Sequence, residues 1–317
     1  MKILLAGDID SDELHGWRVA LSQAMPEALW FDAAAARVVA SDIEAAVVAN
    51  PQPGSLRGLP GLRLIQSLWA GVDRLLADVT LPADVPLARM VDPTMSAAMA
   101  ETALWATLSL HRGFFAYARR QHEGRWQQHG QRRADEVRVG VLGLGRMGRA
   151  VVERLLAQGY PVAAWVREPH GRGEPAPTGA AVFVGDAGLA SLLPAADILI
   201  NLLPLTDATR GLLDARLFAA LPVAAGLINL GRGGHLVDAD LLDALASGHL
   251  RHAVLDVFHT EPLPAGHPFW AHPRVTVLPH AAALTDPRSA AAVAVTNLRA
   301  LRDGQPLAHL VDRRRGY

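Results

Sequence analysis

The chain has 317 residues, of which 50% are apolar and 19% charged. That excludes an intrinsically disordered protein and suggests about two domains. Thirty basic and 31 acidic side chains leave a net charge of −1, so no global field favours nucleic acid or an anionic membrane. Cysteine is absent, which excludes disulfides, thiolate metal sites and cysteine nucleophiles. From the N-terminus, residues 3–6, 45–49 and 62–67 read as strands. Leu14, Trp17, Leu21 and Met25 give residues 13–25 a helical spacing. The alternation predicts βαβ units and a parallel sheet. The first apolar run is too short for a signal-peptide core, since it soon meets Asp8, Asp10, Asp12 and Glu13. No stretch reaches the ~18 apolar residues of a membrane span. A soluble, cytoplasmic protein is expected.

Residues 95–128 carry a long helical pattern without proline, in which Gly113 and Gly124 are candidate breaks. A second βαβ series then begins. Strands are predicted at 139–142, 162–166, 181–183, 198–202, 225–229, 253–257 and 275–277. Helices are predicted at 149–156, 187–193, 208–220 and 238–247, and the Pro/Gly-rich stretch 168–179 reads as a loop. Asp286-Pro287 announces a last helix over 286–302.

Gly143-Leu144-Gly145-Arg146-Met147-Gly148 is a G-x-G-x-x-G turn between an apolar strand and a helix with Val151, Val152, Leu155 and Leu156 on one side. That context makes it a dinucleotide-binding fingerprint. Gly143 permits the tight turn, Gly145 lets backbone N–H groups approach a pyrophosphate, and Gly148 lets helix and strand pack closely. The plainer alternative is a glycine turn that only connects the two elements. The strand after the helix ends in Arg167 and Glu168. Arginine there suits the 2′-phosphate of NADP, with Arg172 placed to assist. The competing readings are Glu168 on the ribose of NAD, or Arg167 as an exposed loop charge.

Three polar residues follow successive predicted strands: Arg232, Glu261 and His280. In an open parallel sheet, ligands bind at the carboxyl ends of the strands, so the three can converge on one crevice. Taken singly, each has an ordinary reading: a surface arginine, a loop glutamate before proline, a packing histidine. The histidines at 259, 267, 272 and 280 lack the helical spacing of H-E-x-x-H and prolines interrupt them, so no metal is expected. No G-x-S-x-G elbow is present, which argues against a serine hydrolase.

With these motifs in their order, the sequence resembles the D-isomer-specific 2-hydroxyacid dehydrogenases over nearly its whole length. The matching pieces are residues 143–148, 201–206, 228–233, 255–262 and Pro279-His280. Within the family it is most similar to the bacterial A-type glyoxylate/hydroxypyruvate reductases: Arg167 stands where NAD-linked members carry an acid, and Ala281-Ala282 follow His280 where many have a glycine pair. Gly231 replaces a common alanine, a departure expected to be harmless.

The resemblance implies two Rossmann-like/flavodoxin-like α/β domains with the active site in the cleft between them: a substrate-binding domain of residues 1–98 plus 281–317, and a dinucleotide-binding domain of residues 99–280. It implies Arg232, Glu261 and His280 as the catalytic set. Trp69, Ala70 and Gly71 would join Arg232 around the substrate. Arg146, Met147, Leu203, Pro204, Asn229, Leu230, Gly231, Asp256 and His280 would join Gly143, Gly145, Gly148 and Arg167 around the cofactor. Asp256 can support that site or simply end a strand, and the 68–73 stretch can be a glycine turn beside a core tryptophan.

The implied reaction is reduction of a small 2-oxo acid, glyoxylate or hydroxypyruvate, by NADPH, with NAD possible. The chemistry agrees: the nicotinamide supplies a hydride, a histidine titrating near neutrality supplies a proton, a carboxylate beside it favours its charged form, and an arginine holds the substrate carboxylate. The alternatives are a dinucleotide-sensing, corepressor-like interaction protein on the same fold, or a relative acting on another substrate such as phosphite. A homodimer is expected through the family, with residues 101–129 as the candidate contact.

Overall fold

The computed structural model describes residues 1–168 and 175–317. Arg172 lies outside the described residues, as does most of the first half of the predicted 168–179 loop. Two compact units are present, Met1–Met95 with Thr285–Tyr317, and Ser96–Leu284.

The first unit is built on strands β1 (Lys2–Gly7), β2 (Leu29–Phe31), β3 (Ile43–Ala49), β4 (Leu64–Ser67) and β5 (Leu87–Ala88). They lie in the order β2-β1-β3-β4-β5 and all pair in parallel. Helices cover both faces of such a sheet, so a central strand such as β3 is buried on both sides and reads as one apolar run. The helix Ser11–Ala24 begins at Asp10, whose carboxylate accepts from the Glu13 N–H, and buries Trp17 and Leu21. The last helix, Pro287–Arg302, is capped by Asp286 and has proline in its first turn, as predicted. Its buried Asn297 donates to Gln66 Oε1 (2.8 Å) and to the Ala308 carbonyl (3.0 Å), tying the returning C-terminal segment to β4.

The second unit holds seven parallel strands: β6 (Val139–Leu142), β7 (Val162–Val166), β8 (Ala181–Val184), β9 (Ile198–Asn201), β10 (Ala225–Asn229), β11 (Leu250–Leu255) and β12 (Val275–Val277). The order is β12-β11-β10-β9-β6-β7-β8, so the winding reverses between β6 and β9. Alternate side chains feed two cores. Val139, Val141, Ile198, Ile200, Ile228 and Val254 lie on one face; Leu142, Leu199, Leu227, Ala253 and Leu255 lie on the other. A ligand crevice is expected where the order reverses, outside the carboxyl ends of β6 and β9.

The structure differs from the sequence reading in several elements. The long helix is two, Pro93–Arg112 and Phe114–His122, broken at Gly113 with φ +72°. It stops short of residue 128 because Gly124 adopts φ +63°. The Gly124 N–H then bonds the Gln121 carbonyl and the Arg125 N–H bonds the Arg120 carbonyl, which together form a Schellman cap. Only Ala215–Ala220 of the predicted 208–220 helix forms. Ahead of it, Thr209 Oγ1 donates to the Pro204 carbonyl and accepts from the Thr206 N–H, holding a turn instead. Strands β2 and β5 were not foreseen. No helix among the described residues is long and apolar enough to cross a membrane.

Candidate active site

β6 is buried at every position and delivers the chain into Gly143, whose N–H bonds the Trp165 carbonyl of β7 (2.9 Å). Gly143 has φ +99°, a conformation that L side chains rarely adopt. A Cβ on Gly148 would lie 2.0 Å from the Gly143 carbonyl oxygen, so the helix Arg146–Ala157 can approach the turn only with glycine there. Around Gly145 a Cβ would meet nothing within 4 Å. Gly145 is also the N-cap, and no side chain caps this helix. First-turn N–H groups have no intrahelical acceptor and carry the positive end of the helix dipole. Open space before an uncapped helix end fits the pyrophosphate of a dinucleotide. Arg167 follows β7 directly, with Nη2 3.8 Å from Glu168 Oε1. Leu203 and Pro204 follow β9, the other strand at the reversal.

The second cluster sits at the carboxyl ends of β10, β11 and β12. The backbone carries the pairing beyond the ends of β11 and β12: Asp256 N–H bonds the Asn229 carbonyl (3.0 Å), Leu278 N–H the Leu255 carbonyl (2.8 Å), and His280 N–H the Asp256 carbonyl (2.9 Å). The three predicted residues are brought together there. Glu261 Oε2 accepts from His280 Nδ1 at 2.7 Å, and its Oε1 accepts from the Phe258 N–H at 2.8 Å. Arg232 lies close enough for its charge to act on both partners. Its Nη1 donates to the Gly231 carbonyl at 2.7 Å.

The hydrogen bond from Glu261 holds the His280 imidazole above its ordinary pKa, against burial and the Arg232 charge. Burial pushes the Glu261 carboxyl up, but the bonds from His280 and Phe258 and the two positive charges outweigh it and bring it down. Each partner therefore favours the charged form of the other, a carboxylate beside an imidazolium. With Nδ1 engaged, Nε2 is the nitrogen left to exchange a proton with a ligand.

His280 has φ +53°, an uncommon backbone conformation for a residue with a Cβ. Asp256 holds it. That carboxylate is 2% exposed and accepts from the Ala281 N–H (2.7 Å) and the Ala282 N–H (3.1 Å), so the turn after His280 is clamped on both sides. Burial raises the Asp256 pKa, which those two N–H groups oppose. Thr102, from the helix Pro93–Arg112, adds a bond to the Ala282 carbonyl (2.8 Å).

In the first unit, Trp69 follows β4 and packs edge-on against Trp17, with centroids 6.1 Å apart. Ala70 and Gly71 lie in an irregular turn, and among the described residues their N–H groups bond no backbone carbonyl. Two buried polar residues in the second unit were not singled out from sequence for any role of their own. Asn201, at the end of β9, donates to Asn229 Oδ1 (2.9 Å). His235, inside the short 3-10 turn Gly233–His235, faces the Arg232 backbone. Only the position of Asn201 within a recognised motif pointed towards either.

Comparison with known proteins bears on the same regions. The profile of the D-isomer specific 2-hydroxyacid dehydrogenase, NAD binding domain family matches residues 104–282. The glyoxylate/hydroxypyruvate reductase A of Serratia proteamaculans is 42% identical over 277 residues, 86% of this chain and 87% of that protein. A D-isomer specific 2-hydroxyacid dehydrogenase from Xanthobacter autotrophicus, solved with NADPH and MES, superposes with a TM-score of 0.92 at 39% identity, covering 100% of this chain and 99% of that one. The NADPH-dependent glyoxylate/hydroxypyruvate reductase of Sinorhizobium meliloti, solved with NADP and sulfate, gives 0.90 at 35% identity over 100% and 99%. The chain belongs to the D-isomer specific 2-hydroxyacid dehydrogenase family.

Proposed function

We propose that the protein reduces small 2-oxo acids, glyoxylate and hydroxypyruvate foremost, to 2-hydroxy acids at the expense of NADPH. The observation that carries this is the 2.7 Å Glu261–His280 pair under the charge of Arg232, on the same sheet whose β6 leads into a glycine turn that fits a dinucleotide. The larger unit is the dinucleotide-binding domain and the smaller one the substrate-binding domain. Gly143, Gly145, Arg146, Met147 and Gly148 hold the pyrophosphate, and Arg167 pairs with the 2′-phosphate. Leu203, Pro204, Asn229, Leu230, Gly231 and Asp256 complete the cofactor side. A bound nicotinamide supplies hydride to the substrate carbonyl carbon.

The remaining chemistry belongs to the chain. Arg232 grips the substrate carboxylate and draws electron density towards the carbonyl oxygen. The Ala70 and Gly71 N–H groups bind the same carboxylate, and Trp69 limits the size of what enters. His280 donates its Nε2 proton to the carbonyl oxygen as the alkoxide develops, and Glu261 stabilises the imidazolium before transfer and fixes its orientation. The neutral imidazole left behind regains a proton from solvent, for which its half-exposed ring is accessible.

The test is consumption of NADPH, followed by absorbance, with a panel of 2-oxo acids and with NADH in parallel. Turnover of glyoxylate and hydroxypyruvate with a higher kcat/KM for NADPH than for NADH is expected. No turnover of any 2-oxo acid overturns the proposal, and a ratio below one overturns the role of Arg167. The same reading makes the enzyme a cytoplasmic homodimer with residues 101–129 as the contact. The exposure of Trp105, Phe114 and Trp126 supports that surface. Light scattering that gives a monomer's mass contradicts it.

A further inference from the structure

The corner that holds Arg232 contains a second imidazole that the reaction does not use. His235 is 0% exposed. Its Nδ1 lies 3.1 Å from the Arg232 backbone nitrogen and 3.0 Å from Asn201 Nδ2. The orientation of that Asn201 amide follows from its other bonds. Its Oδ1 accepts from the Leu203 N–H (3.3 Å), so its Nδ2 is the side that donates, to Asn229 Oδ1 (2.9 Å) and towards His235. Asn229 Oδ1 also accepts from the Gly231 N–H (3.2 Å), while Asn229 Nδ2 donates to the Arg232 carbonyl (3.2 Å). Two N–H donors thus face His235 Nδ1 against one acceptor, the Arg232 carbonyl at 3.1 Å, and Nδ1 accepts. The ring proton therefore sits on Nε2, which donates to the Pro204 carbonyl at 3.2 Å.

The backbone around Arg232 is closely enclosed. Both neighbours are glycines without room for a side chain. A Cβ at Gly231 would come within 2.8 Å of Asn201 Nδ2 and 3.2 Å of His235 Nδ1, and one at Gly233 within 1.9 Å of the Phe258 carbonyl carbon. The backbone N–H of Arg232 is held by His235 Nδ1, and its C=O accepts from Asn229 Nδ2 and from the His235 backbone N–H. A side chain at Gly231 would press on the Asn201 amide and the His235 ring that enclose the arginine backbone.

We propose that His235 is a positioning residue for Arg232: as a neutral Nε2–H imidazole it joins the turn after β9, through Pro204, to the backbone of the arginine, and so fixes where the guanidinium points. The inference rests on Arg232 as the cation that binds the substrate carboxylate. It predicts that loss of the imidazole is felt by the 2-oxo acid far more than by the dinucleotide.

The test compares His235→Asn, His235→Gln and His235→Phe by substrate KM, kcat and the dissociation constant of NADPH. Asparagine keeps an acceptor near Nδ1 and glutamine a donor near Nε2. His235→Phe should raise the KM for glyoxylate or hydroxypyruvate about tenfold or more and lower kcat, since a misplacement of about 1 Å costs up to ~100-fold. NADPH affinity should change about threefold at most in all three. His235→Asn should recover most of the loss and His235→Gln should not. Should the phenylalanine variant fail to fold, the Asn-against-Gln contrast decides. In a double-mutant cycle with Arg232→Lys, the effects should be non-additive. Equal behaviour of Asn and Gln, or additivity, overturns the proposal while leaving the function intact. If Arg232→Lys alone leaves substrate KM and kcat unchanged, the assignment of Arg232 fails, and the proposal with it.

Discussion

Replacing Glu261 by glutamine removes the charge beside His280 and keeps the size and one acceptor oxygen. In the native site the carboxylate lies 2.7 Å from Nδ1. Two unit charges about 4 Å apart at an effective dielectric of about 20 attract by about 4 kcal/mol. The side chains are 50% and 34% exposed, so solvent screens the pair and about a third of that survives. About 1.4 kcal/mol is a factor of ten in rate. Glu261 raises the His280 pKa, so the imidazolium is present below that raised value and is lost as pH rises through it. Reduction needs the imidazolium. The descending limb of kcat/KM for the 2-oxo acid should therefore move down in Glu261→Gln, with rates about tenfold lower above both inflections. Oxidation of the 2-hydroxy acid needs the neutral ring, so its ascending limb should move down by the same amount. Steady-state NADPH absorbance from about pH 5 to about pH 10 reads both limbs. An unmoved inflection in Glu261→Gln would refute the coupling and with it the use of His280 as the acid.

Gly148→Ala forces a Cβ to within 2.0 Å of the Gly143 carbonyl oxygen. Dinucleotide affinity, read by quenching of tryptophan fluorescence, should fall at least about tenfold, and wild-type affinity would show that the turn does not bear the pyrophosphate. Asp256→Ala frees two N–H groups, of which that of buried Ala282 goes unpaired at a cost of about 1–3 kcal/mol. Melting should fall by roughly 2–4 °C per kcal/mol, and kcat should drop as the turn at His280 loosens; an unchanged melting temperature and kcat would dismiss the clamp.

The sequence displayed the parts of the fold that are self-sufficient. Strands β6, β9 and β10 are buried on both faces and so are continuously apolar. β2 and β5 are three and two residues long and lie at the sheet edges, where the pairing partner rather than their own pattern makes them strands. The 208–220 pattern was helical in composition, but Thr206 and Thr209 offered the backbone a competing turn. At the site, Arg232, Glu261 and His280 were legible because polar residues directly beyond apolar strands are conspicuous. His235 was not, since one histidine in a glycine-rich turn looks the same whether it faces solvent or the backbone of Arg232. The 113 and 124 breaks were visible as glycines, but the end of the helix was set by a cap that needs the folded turn.

The most direct measurement on the whole account separates binding from turnover in His280→Ala. The substitution removes the imidazole at Nε2 and leaves the glycine turn and Arg232 in place. NADPH should bind with nearly the wild-type dissociation constant, while kcat for glyoxylate or hydroxypyruvate falls about 100-fold to 10,000-fold, the usual worth of a positioned general acid. A variant that binds NADPH and turns over at the wild-type rate would remove His280 from the chemistry and contradict the account at its centre.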